Sequence, residues 1–151
     1  MKTFLLSILV LIALSIVWLG ESRRFYCFDN DNYITVWKTY NNVCYIIPGK
    51  YYGLLKPSQC YIKSTNSNNM TIYMSNELPN SLIYRSDEAI NVIGGNHSNF
   101  TFVDYNSNTN GFHSMLYETN SKLLKGVKGG VDYMDIFIKE NYAIDKNGKH
   151  L

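Results

Sequence analysis

Between Phe4 and Leu19 the chain runs FLLSILVLIALSIVWL, an apolar stretch interrupted only by Ser7 and Ser15. It has no period-2 alternation and no polar face, so it reads as a hydrophobic helix directed to a membrane. Sixteen helical residues reach about 24 Å, short of the roughly 30 Å hydrocarbon core of a bilayer. The run is also slightly longer than the roughly 7 to 15 residues of a secretory signal. Lys2 precedes it, Arg23 and Arg24 follow it, and Trp18 sits where an aromatic ring would meet lipid headgroups. The expectation is an uncleaved, single-pass signal-anchor contacting the membrane through residues 4–19. Its short lysine-bearing tail would stay in the cytoplasm and leave residues 23–151 outside it. The alternative is a cleaved signal peptide ending at Ser22, which would make the protein secreted. Residues 1–22 and 23–151 are accordingly expected to be separate units.

Residues 23–151 suffice for one domain with its own core. The chain of 151 residues carries a formal charge of +2, and charged residues make up only 17% of it. Mean hydropathy is −0.17 even with the apolar run included, so the remainder is polar through Asn, Ser, Thr and Tyr. No more than two basic residues adjoin anywhere. A nucleic-acid partner is therefore not expected, because displacing counterions takes a basic stripe.

Beyond the run, short β-branched and aromatic segments alternate with turn residues. Tyr33 to Tyr40 (YITVWKTY), Asn41-Asn42 and Val43 to Ile47 form the clearest hairpin signal, ended by Pro48-Gly49. Weaker strands are predicted at Lys50–Leu55 and Gln59–Lys63. Thr71–Ser75 and Ser81–Arg85 suggest a second hairpin, and Asn99–Tyr105, Phe112–Tyr117 and Tyr133–Ile138 further strands. Ser121–Lys128 has room for one or two helical turns. The predicted fold is mostly β: a single small antiparallel sandwich or partly open barrel following one N-terminal hydrophobic helix.

Chemistry-bearing patterns are sparse. Asp29-Asn30-Asp31-Asn32 starts like a calcium loop, but Ile34 and Tyr40 stand where an EF-hand needs Gly and Glu. Asp145-Lys146-Asn147-Gly148 reads as an Asx-type turn. The cysteine spacings at Cys27, Cys44 and Cys60 contain no chelating pair, so zinc is not expected; any one of three single disulfides, among them Cys27–Cys44 and Cys44–Cys60, or three half-buried thiols in β-structure, remain open. His97, His113 and His150 are scattered. His113 and Ser114 are strand neighbours pointing to opposite faces, as are Asp132 and Asp135. No catalytic set, metal site or cofactor is expected. Asn69, Asn96 and Asn99 lie in glycosylation sequons, a weak signal in a chain this rich in Asn, Ser and Thr.

Aromatics are the one enrichment that points to binding. Trp37, Tyr40, Tyr45, Tyr51 and Tyr52, with Tyr61 nearby, are the candidate binding residues, since such rings stack on sugars and anchor protein interfaces. The same rings can serve as cross-strand pairs and core. The functional expectation is a non-enzymatic, membrane-anchored binding or protective domain whose partner is an envelope protein or a glycan. The alternative is a small exported hydrolase.

Overall fold

The computed structural model describes residues 2–28, 31–75, 78–94, 100–105 and 131–151. The apolar run forms α1 (Lys2–Gly20), and the chain then enters ten strands: β1 (Ser22–Cys27), β2 (Tyr33–Lys38), β3 (Val43–Pro48), β4 (Tyr61–Thr65), β5 (Asn69–Ser75), β6 (Leu78–Ser86), β7 (Asn91–Ile93), β8 (Thr101–Asp104), β9 (Val131–Phe137) and β10 (Tyr142–Asp145). Among the described residues no helix is long and apolar enough to cross a membrane. This corrects the expectation of a single-pass protein held in the membrane by residues 4–19. The physical reason is length: α1 has 19 residues, and its apolar part reaches about 24 Å against a core of roughly 30 Å.

The strands form two five-stranded sheets, as the alternating segments predict. Sheet A has the order β1-β2-β3-β4-β7 and sheet B the order β10-β9-β5-β6-β8. Every pairing is antiparallel except β6 with β8. The chain crosses from A to B between β4 and β5, and returns between β6 and β7. This is a sandwich rather than a closed barrel.

Alternation decides what lies between the sheets. Ile34, Val36, Cys44, Ile46 and Ile62 of sheet A join Met70, Ile72, Met74, Leu82, Met134 and Ile136 of sheet B in one buried cluster. The β4–β5 and β6–β7 crossovers are tied by Asn68, whose Nδ2 donates to Ser64 Oγ and Ser86 Oγ, both at 2.7 Å. At Lys139–Asn141 the β9–β10 turn meets sheet A: Lys38 Nζ donates to Lys139 O at 3.0 Å and Ser22 Oγ to Asn141 Oδ1 at 3.1 Å.

Three expectations change. Lys50–Leu55 is a loop, because Gly49 at φ +81° turns the chain after β3 and the segment folds back on itself. Ser22–Cys27 and Tyr142–Asp145 are strands that local composition did not mark. The predicted strand at Phe112–Tyr117 and the helical turns at Ser121–Lys128 lie outside the described residues.

Candidate functional site

The outer face of sheet A gathers part of the predicted aromatic set. Trp37 on β2 stands beside Tyr45 on β3 at 5.6 Å between ring centroids, and Tyr45 meets Tyr61 on β4 edge-on at 5.4 Å. These are cross-strand neighbours, since Trp37 pairs with Tyr45 in the β2–β3 register. Tyr51, in the loop after β3, lies over Trp37 at 6.2 Å with planes 29° apart. Arg23 of β1 completes the stack: its guanidinium is 4.1 Å from the Trp37 centroid and 5.7 Å from that of Tyr51. A cation over two ring faces adds electrostatic attraction to the packing. Arg23 Nη1 also donates to Tyr51 O at 3.2 Å, and Trp37 Nε1 donates to Glu21 Oε2 at 3.2 Å.

The consequence is closure. Trp37 is only 4% exposed although it points away from the inter-sheet core. Thr35, on the same outer face, is fully buried; its hydroxyl donates to Gly49 O at 2.6 Å and accepts from Tyr51 N at 2.9 Å. Trp37, Tyr45 and Tyr51 therefore form the scaffold under a loop rather than an open stacking platform. Tyr40 stands apart in the β2–β3 turn, 66% exposed.

What the scaffold supports is the loop of residues 50–58. Tyr51 Oη donates to Leu55 O at 2.7 Å, curling the segment around the ring. Gly53 leaves room for that ring, because a Cβ at this position would overlap the Tyr51 phenol, which would have to shift. Pro57 is buried at the loop's return. The braced loop presents Tyr52 at 70%, Leu54 at 93% and Leu55 at 80% exposure. Tyr52 packs on exposed Phe25 of β1 at 5.1 Å. The same segment carries Lys50 and Lys56, both exposed, and residues 50–63 contain no acid.

Sequence reasoning missed Arg23, Phe25, Leu54 and Leu55. The signal for the last two was present in Gly53 and Pro57, which interrupt KYYGLLKP too often for a strand.

The titratable groups are arranged for stability rather than activation. Burial pushes the phenols of Tyr26, Tyr45, Tyr73, Tyr84 and Tyr133 above their ordinary value. Burial likewise raises the Cys44 thiol to about 12. A nucleophilic thiol needs the opposite shift. Tyr33 is raised chiefly by its hydrogen bond with Cys27. No disulfide joins Cys27, Cys44 and Cys60. In sheet A, Cys27 pairs with Tyr33 while Cys44 pairs with Lys38 and Ser64. Five residues along β2, about 17 Å, separate those positions, and four residues along β4, about 13 Å, separate Cys60 from Ser64. Neither separation fits the proposed bridges.

Of the remaining candidates, Asp132 is buried and paired with Lys146 at 3.6 Å, while Asp135 faces outward from sheet B. The DKNG segment is an Asx turn, Asp145 Oδ1 accepting from Asn147 N at 2.8 Å and Lys149 N at 2.9 Å. His97, His113, Asp29, Asn30, Asn96 and Asn99 lie outside the described residues. No group of acids, histidines and cysteines able to hold a metal occurs among the described residues. Compared with protein-family models, curated proteins and solved structures, the chain matches none.

Proposed function

We propose that the chain is a non-enzymatic binding domain that docks a partner protein on the loop of residues 50–58. The observation that supports this reading is the pair Leu54 and Leu55, 93% and 80% exposed on a loop whose base is clamped by Tyr51, Thr35 and Arg23. Burying a leucine fully against a partner is worth roughly 1.5 to 3 kcal/mol, so the two together supply about 3 to 6 kcal/mol on contact. A loop already held in shape loses little further conformational freedom on binding, so more of that gain appears as affinity. Lys50 and Lys56 of the same loop fit a partner whose apolar pocket is rimmed by carboxylates.

The test places a photo-crosslinking residue at Leu54 in the full chain, expressed in its native cells, with Lys149 as the control position. The expected result is a discrete crosslinked species from position 54 that is absent from position 149. No discrete species at 54, or the same species at both positions, would count against the docking loop.

A further inference from the structure

The outer face of sheet B is built differently and carries a second site. In the β6–β5–β9 register Arg85 lies opposite Thr71, and Thr71 lies opposite Asp135. With strands about 4.8 Å apart, Arg85 and Asp135 flank Thr71 from Cα positions roughly 10 Å apart, leaving space above the threonine. A cavity of about 200 Å³ opens there, lined by Asn69, Thr71, Arg85, Asp87, Asp135 and Phe137, with the backbone of β5 and β9 as its floor.

Thr71 Oγ1 donates to Asp135 Oδ1 at 2.6 Å, which holds the carboxylate in one pose. The Arg85 guanidinium lies 5.9 Å from the Tyr105 ring centroid. Phe137 is stacked on Tyr142 at 4.6 Å and 14°, and Tyr142 on His150 at 5.1 Å and 26°. Tyr142 lies on the β10 side of Phe137. On its other side Phe137 pairs with Asn69 of β5, and both residues line the cavity.

We propose that this groove binds one neutral hexose unit of a glycan. A flat apolar ring face matches the C–H face of a pyranose, and the carboxylate, amide and guanidinium around it match neighbouring hydroxyls, which both donate and accept. The cavity is below the roughly 300 to 1,000 Å³ of sites that enclose drug-sized ligands, so it takes a single ring of a longer chain. Charge selects among sugars: one cation, Arg85, faces two carboxylates, Asp87 and Asp135, so an acidic sugar meets net repulsion. This site shares no residue with the docking loop, and the two proposals stand or fall separately.

The experiment is a saturation-transfer NMR titration of the full-length protein. The probes are cellotetraose, laminaritetraose and mannotetraose, with trigalacturonic acid as the acidic counterpart. At least one neutral oligosaccharide gives saturable transfer at an affinity on the order of millimolar, as one exposed ring allows. Asp135→Asn and Arg85→Gln, both outward-facing substitutions that leave the core intact, each weaken that binding by about tenfold through a lost charge-assisted hydrogen bond. Circular dichroism confirms that both variants keep the β fold. The proposal is overturned if no neutral probe shows transfer, if neither variant changes it, or if trigalacturonic acid binds as well as the neutral sugars.

Discussion

The two sheets have the same number of strands and share one interior, yet their outer faces differ between the surroundings of Trp37 on A and those of Thr71 on B. On sheet A, Trp37 is buried beneath Arg23 and Tyr51, and the β3–β4 loop closes over it. On sheet B, aromatic rings stand in a cross-strand row at one side of a groove whose middle is polar. The difference lies in what crosses each face. Sheet A has a twelve-residue connection between Pro48 and Tyr61, carrying an aromatic buttress at Tyr51 and a Gly53 that lets the chain pass it. Over the β5–β9 pair of sheet B the row Arg85–Thr71–Asp135 is charged and hydroxylic, so it gains nothing from being covered by apolar chain. Aromatic side chains thus build a small outer core on each sheet, around Trp37 on A and around Ile83 with Tyr73 and Tyr105 on B, while Phe137 stands as a wall of the groove.

The contrast can be broken most forcefully at Trp37. Trp37→Ala removes a buried ring and the seat of both Arg23 and Tyr51. It is expected to cost about 3 to 5 kcal/mol in chemical denaturation, whereas no outer-face residue of the groove should approach that. Gly53→Ala comes next: a methyl forced onto Tyr51 must displace the ring or the loop, for roughly 1 to 3 kcal/mol. Amide hydrogen exchange should rise in residues 50–58 and stay unchanged in β5 and β9.

Cys44 probes the interior that both faces share. Its thiol is held near 12 in the folded chain against 9.0 for the ordinary value. The folded state therefore keeps this proton after the unfolded state has lost it. The contribution is complete below about pH 9 and is lost as pH rises toward 12, at about 1 kcal/mol per pH unit. Cys44→Ala should remove that part of the alkaline slope; the tyrosine part remains. At pH 8 a thiol reagent should modify Cys27 and Cys60 well before Cys44, and equal rates at all three would contradict the burial.

The smallest stability changes belong to the exposed positions. Asp135→Asn, which loses one charge-assisted bond from Thr71, should cost about 1 kcal/mol. Leu54→Ser should stay within about 0.5 kcal/mol of the parent, because the side chain touches little in the free protein. A larger loss at Leu54 would show that the loop packs on its own chain.

Much of the β architecture was legible because alternation is a local signal. Tyr33–Tyr40 with Val43–Ile47 and Thr71–Ser75 with Ser81–Arg85 emerged as β2–β3 and β5–β6, β5 starting two residues earlier in the ladder with β9 and β6 longer at both ends. β1 was hidden by Arg23 and Arg24, which look like membrane flanks until Trp37 supplies a ring for one of them. β10 is four residues long and has meaning only opposite β9. The aromatic set was half legible: register alone aligns Trp37 with Tyr45, but the fold of the loop sends Tyr51 inward and Tyr52 outward. The groove of sheet B was invisible, because Arg85, Thr71 and Asp135 come from three strands and converge only through pairing. The apolar run announced its helix plainly, while its span fell short of what a crossing requires.

The closure of sheet A is tested most directly by acrylamide quenching of Trp37 fluorescence, measured in the full chain with Trp18→Phe so that one indole remains. The account predicts blue-shifted emission and quenching far below that of free indole, with both reversed in the Gly53→Ala chain. Red-shifted emission quenched as readily as free indole would contradict it, and the loop of residues 50–58 would lose the brace on which the proposed docking rests.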